Sequence, residues 1–276
     1  MLTEEEFRLF RNLIYQESGI YLKETKKDFL EHRVVKRMHE TRTASPYWYY
    51  KLVTAGQSPE LALLLDSMTV NETSFFRNRP QIELFRDIAL PELAARKRSE
   101  PLRRLRIWSA GCSTGEEPYT IAMVVRDAFA GHDSGDVQIF ASDLSLKALQ
   151  AAQRAEYARE KVEATVDGQS LAKYFTMHNG TARVKEEVRD MVVFDYHNLK
   201  HDNGLRGLDV IFCRNVMIYF DLEEQRRLAA KFYESLNPGG YLFLGHAESL
   251  QGWDTGFRFL YHRGGTAYRK PAQEEQ

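Results

Sequence analysis

The chain has 276 residues, room for one large domain or two small ones and for a buried core. Lys and Arg number 38 against 39 Asp and Glu, so bulk charge favours neither nucleic acid nor an anionic membrane surface. No apolar run approaches the roughly 20 residues needed to cross a bilayer, and MLTEEEFRLF at the start is acidic and amphipathic, unlike a secretory leader. Cys112 and Cys213 lack metal or redox spacing, which fits a reducing cytoplasm.

Residues 1–70 read as a series of short helices. Thr3 with Glu6 forms a capping box, and Thr25 with Asp28 a weaker one. Ser45-Pro46 and Ser58-Pro59 each set a cap residue before a Pro at a first helical position. Apolar residues recur at helical spacing, first Phe7, Phe10, Leu13 and Ile14, later Leu61, Leu64, Leu65 and Met68. The helix at about 26–42 is rich in Lys, Arg and His, which suits either a solvated face or a docking face for an acidic partner.

Residues 70–78, VNETSFFRN, fit neither helix nor strand periodicity, and a further helix is predicted at about 81–97. Strands and helices then alternate: strands at 105–110, 137–142, 208–213 and 241–244, helices at 116–129, 145–157 and 222–236. That alternation predicts a parallel α/β sheet. Residues 257–261 and 266–269 around Arg263-Gly264-Gly265 predict an antiparallel hairpin at the sheet edge, followed by a frayed tail at 271–276. Asn179-Gly180 between alternating runs predicts a β-hairpin insert at about 172–192, with the run at 191–194 joining either the insert or the main sheet.

Three stretches sit where an α/β sheet binds ligands. Ser109 to Pro118, SAGCSTGEEP, follows the first strand and opens a helix; its small residues admit close backbone approach, though a capping box from Ser113 to Glu116 would explain it too. Its spacing is not G-x-G-x-x-G, which argues against a pyrophosphate cofactor. Asp143 ends the second strand, as a ribose-binding acid or as an N-cap for the next helix. Arg214 and Asn215 end the strand at 208–213, a costly place for polar groups unless they bind something, with Tyr219 nearby. His197 and His201 have the spacing of helix-borne metal ligands, but the segment reads as loop, and no metal is expected.

In order, NETSFFR, RIWSAGCSTGEEPYTIA, FASDLS, FCRNVMIYFD and NPGGYLFLGHAES closely resemble the CheR family over nearly the whole chain. Those are S-adenosylmethionine-dependent methyltransferases that esterify glutamates of bacterial chemotaxis receptors. The resemblance implies an all-α N-terminal domain (1–70), a linker whose loop reaches the cofactor (71–90), and a Rossmann-like methyltransferase domain (91–276) with a small β-insert. Carried onto this chain, it implies cofactor contacts at Asn71, Thr73, Arg77, Glu116, Asp143, Asn198, Leu199, Arg214 and Asn215, with Arg77 and Tyr219 beside the transferred methyl. Phe75 and Phe76 are expected to anchor the loop in the core.

The implied activity is methyl transfer from S-adenosylmethionine to receptor glutamates, leaving S-adenosylhomocysteine, by a cytoplasmic monomer that neither binds nucleic acid nor enters the membrane. The insert's turn, 177–183, is shorter than in members that tether to a receptor's C-terminal peptide. Docking is therefore expected without tethering, through the basic helix at 26–42 and its Arg33, Lys36 and Arg37. Amino-directed methyltransferases of nucleic acid usually carry Asn/Asp-Pro-Pro-Tyr/Phe where this chain has Arg214-Asn215-Val216-Met217, with no Pro pair. Methylation of another protein or of a small molecule, or non-catalytic sensing of the cofactor, would fit the same motifs.

Overall fold

The structure is a computed structural model that describes residues 2–56, 59–97, 104–129 and 137–272. Ser58 and the last residues of the expected tail, 273–276, lie outside the described residues.

Four helices come first: α1 (Glu4–Ser18), α2 (Lys27–Thr41), α3 (Pro46–Thr54) and α4 (Glu60–Met68). Thr3 caps α1 in a full capping box and Ser45 caps α3, as the sequence predicts. The weaker box at Thr25 is not used: a single 3₁₀ turn, Glu24–Lys26, leads into α2 with no side-chain cap. The four helices share a core that includes Phe7, Phe10, Ile14, Leu30, Tyr49 and Leu64. A buried ion pair locks it: Arg37 donates to both carboxylate oxygens of Glu60 (2.8 and 2.6 Å), and the Tyr49 hydroxyl donates to the same group at 2.7 Å.

A long helix bridges to the sheet as α5 (Arg79–Leu84), a π-turn (Phe85–Ala89) and α6 (Leu90–Lys97). Pro91 accounts for the widening, because it lacks the N–H that would bond Asp87 and its ring crowds that carbonyl. Phe85 packs edge-on against Phe212 and Phe243 of the sheet.

The rest of the chain is β1 (Leu105–Ala110), α7 (Glu116–Ala128), β2 (Val137–Asp143), α8 (Leu146–Arg154), β3 (Glu156–Ala158), α9 (Arg159–Glu163), α10 (Gly168–Tyr174), β4 (Phe175–His178), β5 (Thr181–Val184), α11 (Glu186–Arg189), β6 (Val192–Tyr196), β7 (Leu208–Cys213), α12 (Leu222–Ser235), β8 (Leu236–Leu244), β9 (Arg258–His262) and β10 (Gly265–Arg269). Seven strands form one sheet in the order β6-β2-β1-β7-β8-β10-β9. Its first five run parallel, and the β9–β10 hairpin closes one edge antiparallel. The order reverses between β1 and β7, which opens a crevice over their carboxyl ends.

The insert differs in one way from the hairpin expected at about 172–192, and of the two places open to the run at 191–194 the main sheet is the one taken. A third strand, β3, pairs with β5, giving the order β3-β5-β4. The run after it enters the main sheet as the edge strand β6. The helix expected at 145–157 therefore ends at Arg154, where Ala155 turns left-handed at φ 55° and frees the chain to extend.

Candidate active site

The crevice at the switch point encloses about 940 Å³, counting its open mouth. Its floor is the loop after β1. Gly111 and Cys112 donate their N–H groups to the Ser142 carbonyl at 2.8 and 3.0 Å, tying the loop to the end of β2. Gly111 stands at φ 83°, and a Cβ there would meet Val216 at 2.4 Å, so only glycine lets the loops after β1 and β7 close together. The alternative explanation of this loop, a capping box from Ser113 to Glu116, does not form; Gly115 at φ 95° precedes α7 without a side-chain cap.

Asp143 is buried at the end of β2, where its carboxylate accepts the N–H groups of Ser113 and Ser145, each at 2.8 Å. Burial pushes its pKa up and those two backbone donors pull it back. Ser145, not Asp143, caps α8. Asp143 is thus a brace between two loops, and its oxygens keep lone pairs that face the crevice.

The loop at 70–78 forms the opposite wall. Phe75 is buried, edge-on to Tyr157 and Phe175, and the Phe76 N–H donates to the Thr120 hydroxyl at 3.1 Å, so the aromatic pair anchors the loop as expected. That anchorage leaves Asn71, Thr73 and Arg77 lining the crevice. The Arg77 guanidinium is steadied by the Glu72 carbonyl at 2.9 Å.

Behind Arg77 lies a buried charge network. Arg214 sits 3.3 Å from Glu117 and donates to the Arg77 carbonyl. Ser109 donates to the other oxygen of Glu117 at 2.8 Å. Burial disfavours charge on both Glu117 and Arg214, and their mutual attraction opposes it. Asn215, left-handed at φ 60°, donates its N–H to Glu248 at 2.9 Å, and Glu248 also receives Ile218 N–H at 3.2 Å, which holds the turn carrying Tyr219.

Asp143, Asn198, Leu199, Arg214, Asn215 and Tyr219 all line the same crevice as the 70–78 loop. Glu116 does not: its carboxylate accepts the Thr114 hydroxyl at 2.6 Å, while the neighbouring Glu117 lines the crevice instead. At a helix start, adjacent residues point about 100° apart, so one of two consecutive acids must face away. Asn198 lines the crevice, but its amide is committed elsewhere, donating to the Glu17 carbonyl at 2.6 Å and accepting Lys200 N–H at 3.0 Å. The sequence does not assign Glu117 or His197 to the crevice, nor Glu248 to the turn beneath Tyr219; the acidic pair at 116–117 and the acid in GHAES are the available signals for the two glutamates. Among the described residues no group of three or more His, Cys, Asp or Glu is placed to hold a metal.

A small-residue floor, a strand-end acid and a second acid at the far end suit a nucleoside with a cationic amino-acid tail and no pyrophosphate. That is the ligand an S-adenosylmethionine-dependent methyltransferase binds at the switch point of its doubly wound sheet, and the family comparisons agree. Residues 5–69 match the family description "CheR methyltransferase, all-alpha domain" and residues 71–264 match "CheR methyltransferase, SAM binding domain". The chain is 35% identical to Chemotaxis protein methyltransferase 2 of Vibrio cholerae, over 98% of this chain and 94% of that one. It is 36% identical to the Chemotaxis protein methyltransferase of Escherichia coli K12, over 97% and 91%. Among solved structures, a DszA carbon methyltransferase aligns with a TM-score of 0.40 at 18% identity, over 77% of this chain and 46% of that one. The chain belongs to the CheR methyltransferase family, and its cofactor is S-adenosylmethionine.

Proposed function

We propose that this protein transfers the methyl group of S-adenosylmethionine to glutamate side chains on the cytoplasmic domains of chemoreceptors, giving glutamyl methyl esters. The observation that carries the reading is the meeting of Arg77 and Tyr219 at one crevice. Burial raises the Tyr219 phenol, and the Arg77 charge is close enough to pull against it. A cation and a phenol suit a carboxylate acceptor, which is ionised near neutral pH from a reference pKa of about 4.3 and needs no base. Arg77 orients the incoming carboxylate and Tyr219 packs beside the reacting centre, an alignment task rather than a proton-transfer one. Arg77 must not grip too tightly, because the attacking oxygen loses charge as it reacts.

Bound, the cofactor supplies a methyl group already activated on a sulfonium. Asp143 serves the ribose hydroxyls. Asn198 and Leu199, beyond β2 on the β6 side, serve the base through their backbone. Asn71, Thr73, Arg77, Asn215 and Glu117 serve the amino-acid end, with Arg214 holding Arg77 and Glu117 in place. Glu116 drops out of this set on its position. The protein acts as a cytoplasmic monomer, with residues 71–90 linking the helical domain to the catalytic one.

The exposed basic face of α2, with His32, Lys36 and His39, docks the acidic receptor helices. Arg33 stacks over Phe29 beside it at 5.1 Å. Arg37, expected on that face, lies instead in the Glu60 pair and is withdrawn from it. Docking proceeds without a tether, since the β4–β5 turn is only Asn179-Gly180. One observation favours the opposite: among the described residues β4 pairs with β5 alone, so its outer edge, exposed at Thr176–His178, is open to an added strand. Methylating receptor domains with and without their C-terminal peptides separates the two.

The main test is transfer from labelled S-adenosylmethionine to receptor domains, tRNA and buffer, scored as base-released methanol, with Arg77→Ala beside wild type. Base-labile label on receptor domains from wild type alone is the expected result. Label on tRNA, or none on any receptor while S-adenosylhomocysteine still binds, overturns the acceptor assignment.

A further inference from the structure

The segment Tyr15–Tyr21, leaving α1, is bonded to both walls of the crevice. On the β6 side, Asn198 donates to the Glu17 carbonyl at 2.6 Å, and the Lys200 ammonium donates to the carbonyls of Tyr15, at 3.1 Å, and Gln16. These carbonyls lie at the negative end of α1, where a cation and an amide are favoured; the Tyr15 carbonyl also accepts the Gly19 N–H at 2.8 Å. On the β7 side, the Tyr21 N–H donates to the Tyr219 carbonyl at 2.8 Å, and Ile20 forms an isolated β-bridge with Phe220. The Tyr15 hydroxyl donates to Asp221 at 2.7 Å; the other oxygen of Asp221 caps α12 by accepting Glu224 N–H at 2.9 Å.

Between these anchorages Gly19 turns left-handed at φ 76°, and a Cβ there would press on the Phe220 ring at 3.3 Å. Ser18 and Ile20 face the crevice itself. Tyr15 and Lys200 do not line it; Lys200 holds the Tyr15 and Gln16 carbonyls just before Ser18, and Tyr15 holds the Asp221 carboxylate just after Phe220.

We propose that Tyr15 and Lys200 are positioning residues: through this strap the N-terminal helical domain sets the spacing between the base-side wall at 197–199 and the Tyr219 wall. The inference rests on the assignment of those walls given above. Lys200 fixes the base side by neutralising the end of α1 against its own loop. Tyr15 fixes the methyl side by locking Asp221, two residues beyond Tyr219, to the same helix. The helical domain is then part of the cofactor site and not only a platform for the acceptor.

The test is calorimetric binding of S-adenosylmethionine and of S-adenosylhomocysteine to the full chain, which needs no acceptor. The variants are Lys200→Met, Lys200→Arg and Tyr15→Phe. Phe7→Leu, in the helical core away from the crevice, controls for general loss of stability. Losing one such hydrogen bond corresponds to about a three- to tenfold change in affinity. Lys200→Met should weaken both ligands by a common factor in that range, and Lys200→Arg should restore them. Tyr15→Phe should weaken the methylated ligand more than the demethylated one. Wild-type affinities in Lys200→Met and Tyr15→Phe, or equal weakening in Phe7→Leu at the same loss of melting temperature, would overturn the proposal. Altered binding in the variants, with no receptor methylation by a wild type that still binds S-adenosylhomocysteine, would sustain the strap and remove the acceptor assignment.

Discussion

Arg214 donates from its buried guanidinium to the backbone carbonyl of Arg77 while lying 3.3 Å from Glu117. The chain at Arg77 is therefore held by a charge pair that never needs to touch the acceptor. Arg214 is 7% exposed and its Nε has no partner, so its charge depends on Glu117. Glu117→Ala leaves that cation unpaired and should cost about 3–5 kcal/mol in a urea melt. Glu116→Ala, one residue away, removes only a bond to Thr114 and should cost about 1 kcal/mol. S-adenosylhomocysteine affinity should fall with Glu117→Gln and hold within about twofold with Glu116→Gln. Equal effects at the two positions would refute the assignment of Glu117 to the crevice.

Gly111 carries the second prediction. A methyl group there would overlap Val216 at 2.4 Å and would also force a left-handed backbone on an alanine. Gly111→Ala should lower stability by about 1–3 kcal/mol and weaken cofactor binding by at least about tenfold, since the crevice floor must move. Adding Val216→Ala relieves the overlap but not the backbone strain, so the double variant should recover affinity in part. Full recovery would show that strain at φ 83° contributes nothing; no recovery would show that contact with Val216 contributes nothing.

His197 gives a pH dependence with a definite sign. Burial, with the Lys231 charge nearby, holds its imidazole down to about 4 from 6.5. The native state keeps it neutral while the unfolded chain takes up a proton, so stability is full above about pH 6.5 and is lost as pH falls toward 4. Because the ring is partly exposed and its charge partly screened, that loss between about pH 7.5 and 5 is on the order of 1 kcal/mol from this residue. Urea melts at those two pH values should therefore show a smaller difference for His197→Gln than for wild type. Equal differences would mean that the imidazole is not desolvated in the native state.

Much of the fold is legible in the residues because local and global signals agree: Thr3 and Ser45 cap helices, the strands read between helices become β1, β2 and β7, and Asn179-Gly180 turns a hairpin. What escapes is set by distant partners. The three residues of β3 sit inside a helical pattern and become a strand only because Thr181–Arg183 offers an edge. Two adjacent acids at a helix start look alike until the helix is oriented, and Glu116 and Glu117 then separate. Asn198 reads as a crevice residue and lines it, yet its amide serves the end of α1, 181 residues away in sequence. The 70–78 loop is recognisable as a site element because its polar residues and its Phe pair serve different neighbours.

The basic helix α2 separates docking from folding at consecutive residues. Arg37 is 13% exposed in its side chain and shares Glu60 with Tyr49, so two donors from α2 and α3 meet on one buried carboxylate of α4. Arg37→Glu takes the guanidinium from Glu60 and places a second carboxylate beside it, so it should destabilise the helical domain by about 3–5 kcal/mol. Lys36 points outward. Lys36→Glu should leave the melting curve within about 0.5 kcal/mol of wild type, as an exposed charge change does. It should also raise the KM for receptor domains by about three- to tenfold, with a shallower salt dependence and unchanged cofactor affinity. The decisive comparison is therefore receptor KM against melting temperature across the two variants. A Lys36→Glu enzyme with wild-type KM would remove α2 as the docking face, and an Arg37→Glu enzyme with wild-type stability would show that the Glu60 pair is not closed in solution.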